Sequence, residues 1–181
     1  MKWCGLMCMI LLKTVEVYTD GATSGNGTSK ARGGWAYMFQ DENGVEYSDY
    51  GGKVGTTNNR MELVAAIRGI YAARAVYGED VRIRVISDSA YLINCYEQKW
   101  YINWQNNGWV NSTKKPVANQ DLWEELIPFF EDSRYEFVKC AGHMGIEQNE
   151  IVDKLAKRGA AEAEENPFHN VSEWAIENGY I

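Results

Sequence analysis

From Thr14 the chain alternates, with Val15 and Val17 on one side and Glu16 and Tyr18 on the other, and this pattern predicts a strand ending at Thr19-Asp20-Gly21. A glycine-rich turn over 25–34 follows, and then come two strand-like runs, GWAYMFQ (34–40) and VEYSDYGG (45–52). The Asn43-Gly44 step between them is a hairpin signal, so three antiparallel strands are expected. The period then changes. Over 59–76, Leu63, Ile67, Ile70 and Tyr71 share one face of a predicted helix. VRIRVIS (81–87) reads as a strand, Asp88-Ser89 opens a second helix, and a short helix covers 100–104. A polar stretch (106–119) leads into a helix that begins near Asn119 or Asp121 and runs to about Phe130. RYEFVK (134–139) is the last strand and 149–164 the last helix. The order is βββαβ, two or three helices, then βα, which implies an α/β fold with a mixed sheet covered by helices.

With 181 residues, 45% hydrophobic and 3 prolines, the chain has enough for one good core and too little for two. The expected organisation is an N-terminal extension (1–12), one domain (13–160) and an acidic, aromatic C-terminal tail (161–181). The apolar run 3–12 is too short to span a bilayer and no small-residue cleavage site follows it, so no membrane association is expected. Cys4, Cys8, Cys95 and Cys140 have neither zinc spacing nor a disulfide framework, which makes a reduced, cytoplasmic setting the default.

The net charge of −7 argues against tight nonspecific binding to nucleic acid. It does not argue against a nucleic-acid substrate. With the five glutamates after Arg158 set aside, 18 basic residues face 20 acidic ones. Part of that residual acidity would be a metal site neutralised by its ions.

Asp20, Glu62, Asp88 and Asp153 fall where strands or helices are predicted to begin or end. Each has a local explanation. Asn59-x-x-Glu62 fits a capping box, Asp88 fits an N-cap, Asp153 fits an ion pair with Lys157 one helical turn on, and Asp20 fits a turn aspartate bonding its own backbone. A shared site explains all four together. If the strand ending at Asp20 lies beside and parallel to the strand ending at Asp88, both carboxylates emerge close together, and two helices can bring Glu62 and Asp153 over the same point. Four like charges that close require cations between them. Hard divalent ions take oxygen ligands and bind phosphate oxygens, so the expected chemistry is metal-dependent phosphodiester cleavage.

Six ordered motifs, VYTDGA (17–22), TTNNRMEL (56–63), SDSAYL (87–92), WYINWQNNGW…KKPVANQDLW (100–123), AGHMG (141–145) and NEIVDKLA (149–156), closely resemble type 1 ribonuclease H. The resemblance implies a five-stranded mixed sheet of order 3-2-1-4-5 flanked by helices. It implies hydrolysis of the RNA strand of an RNA–DNA hybrid, leaving 3′-hydroxyl and 5′-phosphate ends, by a monomeric enzyme. By motif position it makes Asp20, Glu62, Asp88 and Asp153 ligands of two Mg²⁺ ions, with Mn²⁺ as a substitute. His143 matches a mobile histidine suited to proton transfer or product release. Asn58 and Asn59 match minor-groove contacts, Asn26 a contact to RNA hydroxyls, and Thr57 part of a phosphate pocket on the DNA strand. Tyr91, Trp100 and Trp104 match an aromatic channel for a deoxyribose, and core packing is the alternative reading for those rings.

The chain departs from the family pattern in three places. The loop ATSGNGTSKARGGW lacks a proline-glycine spacing, Ala90 stands where many relatives carry Gln or Met, and the tryptophan-rich handle keeps only Lys99, Lys114 and Lys115. Two other functions fit parts of the pattern: a DNA-cutting or DNA-joining enzyme on the same sheet, and a noncatalytic hybrid-binding module.

Overall fold

A computed structural model describes residues 13–26, 28–41, 43–140, 147–164 and 179. Its elements run β1 (Thr14–Ser24), β2 (Arg32–Gln40), β3 (Glu46–Val54), α1 (Asn58–Tyr77), β4 (Arg82–Ser87), α2 (Ala90–Gln98), α3 (Trp100–Asn107), α4 (Gln120–Glu131), β5 (Tyr135–Lys139) and α5 (Glu147–Glu162). One five-stranded sheet has the order β3-β2-β1-β4-β5. Strands β1, β2 and β3 pair antiparallel, while β4 lies parallel to both β1 and β5. This is the mixed sheet that the sequence pattern predicts, in the 3-2-1-4-5 order that the resemblance implies.

The period-two alternation of β2 divides the interior into two layers. Trp35, Tyr37 and Phe39 face α1, together with Val15 and Val17 of β1 and the apolar sides of α2 and α4. Ala36 and Met38 face the other way, onto Val152 and Ala156 of α5, with Tyr18 and Ala22 packed around them. Helix α1 therefore lies under the sheet and α5 over it, so that each can deliver a side chain to the same end of β1.

Two expectations are corrected. β1 does not end at Gly21, because its pairing with β2 continues to Ser24↔Arg32, whereas its parallel register with β4 stops at Thr19↔Ser87. Asp20 thus sits inside a strand, at the place where its parallel neighbour gives out. Gly33, expected in the turn, belongs to β2, as does Gly34, with which the predicted strand began. A Cβ on Gly34 would overlap backbone atoms of Ala156 and Ala160, and one on Gly159 would overlap the backbone of Gly51. These glycines let α5 rest directly on the main chain of the sheet.

The C-terminus of α5 is held by Arg32, which donates to the carbonyls of Ala160, Ala161 and Ala163. Cys95 and Cys140 are both buried. Among the described residues no helix is long and apolar enough to cross a membrane.

Candidate active site

The capping rules that compete for the acidic residues resolve against two of the local explanations. Helix α1 is capped by Thr57, whose hydroxyl accepts from Arg60 N at 3.3 Å, so no Asn59–Glu62 capping box forms. Glu62 is buried instead, 4% exposed. Helix α2 is capped by Ser89, accepting from Leu92 N at 3.3 Å, which leaves Asp88 outside the cap.

One carboxylate oxygen from each of Asp20, Glu62 and Asp88 lies within 4.8 Å of the others. The approach depends on Gly21. A Cβ there would stand 2.5 Å from Glu62 N and 2.9 Å from the carbonyl carbon of Met61, so only glycine lets the first turn of α1 close onto β1. Asn58 holds Glu62 from one side, with Nδ2 donating to Oε1 at 3.2 Å and Oδ1 accepting from Thr23 Oγ1 at 3.3 Å. Glu62 Oε2 is buried with no hydrogen-bond partner among the described residues. A buried carboxylate oxygen in that state is costly unless something cationic completes it.

Burial, followed by the charges of Asp88 and Asp153, pushes the Asp20 carboxyl up from 3.8 to about 7. Burial and then the charges of Asp20 and Asp88 hold Glu62 well above the ordinary carboxylate range. The N–H of Gly21 opposes both shifts without cancelling them. Three hard oxygen donors that repel each other, one of them unsatisfied, fit a divalent cation of the magnesium class.

Asp153 stands apart from that trio. Its Oδ2 accepts from Lys157 Nζ at 2.7 Å, so the i,i+4 ion pair is present, yet Asp153 lines the same cleft and its charge acts on Asp20. Both readings of this residue hold together.

Asn58, Asn59 and Tyr91 line the cleft beside the carboxylates, with Thr23, Ser89, Ala90 and Lys157. At its lip, Asn26 Oδ1 accepts from Asn58 N at 3.3 Å, and Thr57 lies exposed at the helix start. Trp100 and Trp104 do not reach this cleft. They line a neighbouring groove with Asn103, Asn107, Asn111 and Lys114. The two are joined by a run of rings: Tyr91 to Trp123 at 5.0 Å, Trp123 to Trp104 at 5.6 Å, and Trp104 to Trp100 at 6.2 Å. Both tryptophans also pack on the core. His143 lies outside the described residues. Gly21 and Thr23 were not anticipated; a glycine directly after a strand carboxylate is the signal that identifies the first, and the second has no local signature.

A sequence profile described as RNase H matches residues 12–161. The ribonuclease H of Syntrophomonas wolfei is 46% identical over 147 residues, 81% of this chain and 95% of that protein. The ribonuclease H of Symbiobacterium thermophilum is 42% identical over 151 residues, 83% of this chain and 97% of that one. Among solved structures, LC9-RNase H1, a type 1 RNase H with the type 2 active-site motif, superposes with a TM-score of 0.69 at 26% identity, covering 92% of this chain and 82% of its own. LC11-RNase H1 in complex with an RNA/DNA hybrid shares the fold at 20% identity, with a TM-score of 0.53 over 80% of this chain and 97% of its own. With a profile match over most of its length and relatives of this identity, the chain belongs to the ribonuclease H family of enzymes.

Proposed function

We propose that this protein hydrolyses the RNA strand of RNA–DNA hybrids with divalent ions, Mg²⁺ or in its place Mn²⁺, leaving 3′-hydroxyl and 5′-phosphate ends. The observation that carries the reading is the convergence of Asp20, Glu62 and Asp88 within 4.8 Å, with Glu62 Oε2 left unsatisfied, in a chain of this family. Asp20, Glu62, Asp88 and Asp153 would hold two ions, whose chemistry when bound is to acidify water and neutralise charge on the phosphodiester.

The chain's own groups prepare that site. Gly21 admits Glu62 beside Asp20, Asn58 fixes the orientation of the Glu62 carboxylate, and Lys157 holds Asp153 at the rim. Groups fixed in this way do not reorganise as charge develops, which is where most of an enzyme's electrostatic advantage lies. No side-chain nucleophile is required. His143, by its motif, carries the proton transfer or the release of product.

Substrate selection falls to groups that sense a 2′-hydroxyl on one strand and its absence on the other. Asn58 and Asn59 line the carboxylate cleft, which supports the minor-groove role, and Asn26 stands against Asn58 for the RNA hydroxyls. Thr57 presents an exposed helix start to a DNA phosphate. Tyr91, Trp100 and Trp104, joined through Trp123, offer apolar faces to a deoxyribose.

Matched RNA–DNA, DNA–DNA and RNA–RNA duplexes, each with and without Mg²⁺ and with Asp20→Asn as control, test the reading. Metal-dependent cutting of the hybrid alone, lost in the variant, is expected. Preference for duplex DNA, or cutting that survives Asp20→Asn, overturns it.

A further inference from the structure

Arg60, on the first turn of α1, reaches across to the first turn of α4. Its Nη1 and Nη2 donate to Asp121 Oδ1 at 2.9 Å and Oδ2 at 2.5 Å, and Nη1 also donates to Asn119 Oδ1 at 3.3 Å. The two side chains are 24% and 54% exposed, and an ion pair that wet adds little to stability. Its geometry is less ordinary: the two terminal guanidinium nitrogens each engage one carboxylate oxygen, a parallel pair that fixes orientation as well as distance.

The surroundings give that orientation a use. Arg60 directly follows Asn58 and Asn59, which form one wall of the carboxylate cleft. On the far side, Ala118 lies three residues before Asp121 and its carbonyl accepts from Tyr91 Oη at 3.2 Å. Tyr91, on α2, lines the same cleft from a different helix and accepts in turn from Trp123 Nε1 at 3.1 Å. These contacts close a ring behind the cleft, from the asparagine wall through Arg60, Asp121 and Ala118 to the tyrosine wall. Neither Arg60 nor Asp121 lines the cleft.

We propose that Arg60 and Asp121 are positioning residues whose bidentate pair fixes the separation of the two cleft walls, so that the asparagines and the aromatic side engage the two strands of one duplex at the same time. The inference rests on the hybrid-cleavage reading above. It predicts that breaking the pair weakens substrate capture and leaves the chemical step in place.

Steady-state cleavage of an RNA–DNA hybrid by the wild type, Asp121→Asn, Arg60→Lys and the double variant, with thermal unfolding of each, tests it. Arg60→Lys keeps the charge and removes the second donor. Each single variant is expected to raise KM about fivefold or more, with kcat within about twofold of wild type. The double variant is expected to be no worse than either single one, with Tm within about 3 °C of wild type throughout. A KM within about twofold of wild type in both single variants overturns the proposal, as does a rise that adds in full in the double variant or that merely tracks lost Tm. A wild type that leaves the hybrid uncut overturns the functional reading and this inference with it. A wild type that cuts while the variants keep its KM overturns this inference alone.

Discussion

Replacing Asp20 with Asn separates what the acidic cluster does for catalysis from what it does to the fold. In the metal-free protein, burial and neighbouring charge raise the Asp20 carboxyl from 3.8 to about 7. An unfolded chain ionises this group near its ordinary value, whereas the folded chain keeps the proton until about pH 7. Wild-type stability therefore falls as pH rises from about 4 to about 7, and below that window the group contributes no penalty. A rise of that size corresponds to at most about 4 kcal/mol. Glu62 shares the same crowding, so removing one charge relieves both groups, and the realised gain at pH 8 is expected to be about 1–3 kcal/mol, or about 3–10 °C in Tm. The amide retains an oxygen that can accept from Gly21 N–H, so the substitution costs little elsewhere. Thermal or urea unfolding with chelator at pH 4 and pH 8 provides the comparison. The Asp20→Asn change should stabilise the protein at pH 8, be neutral at pH 4, and lose its advantage when Mg²⁺ is added, because only the wild type then gains from binding. If the variant is no more stable at pH 8, or equally favoured at both pH values, carboxylate crowding is not the governing effect.

Four further outcomes follow from the same geometry. Asn58→Ala removes the donor to Glu62 Oε1 and should weaken metal affinity or turnover about 10–100-fold, read from the Mg²⁺ dependence of cleavage; an unchanged dependence would contradict the bracing role. Gly21→Ala places a Cβ against the backbone of Met61 and Glu62 and should cost about 1–3 kcal/mol in urea unfolding, whereas a neutral result would mean that α1 can retreat freely. Divalent-ion binding near pH 7 should release protons from Asp20 and Glu62, so that affinity climbs between pH 6 and pH 8; calorimetry in buffers of different ionisation enthalpy detects the release, and its absence counts against the raised carboxyls. Replacing Lys99, Lys114 and Lys115 with alanine should flatten the slope of log affinity against log salt by at most about 3, and a much larger change would mean that the handle carries more of the phosphate contact than its sequence implies.

Much of this architecture was legible because long-range order left local traces. The alternation around Val15 and Val17 and the compact apolar run over 81–87 specified two strands, and the long connection between them suits parallel neighbours, the arrangement found, which puts Asp20 and Asp88 side by side. The errors came where a distant partner overrode a local rule. Thr19-Asp20-Gly21 reads as a strand end, and it is one only with respect to β4; the antiparallel partner carries the strand on to Ser24. The glycines at 33 and 34 resemble a turn because nothing nearby in sequence reveals their distant neighbours: Gly33 meets Thr56 and Met61, and α5, more than a hundred residues later, comes down on Gly34. Glu62 satisfies the spacing of a capping box, but Thr57 supplies the cap two residues before Asn59 and frees the glutamate to enter the cleft. Asp153 obeys the helix-surface rule and still lines the cleft, so sequence spacing had no means of choosing between the two. The tryptophans of the handle fall into their own groove because Trp123, on another helix, stands between them and Tyr91.

The backbone-on-backbone seating of α5 on the sheet, over Gly34 and through its own Gly159 against Gly51, also bears on how the protein tolerates change. A helix docked through side chains can shift by accommodating a larger or smaller residue, but one docked through bare main chain has no such slack. Its axial position, and with it the height at which Asp153 stands, is set by a few hydrogen atoms. Variation should therefore accumulate on the exposed flank of this helix, while the glycine contacts act as a fixed datum against which the rim of the cleft is measured.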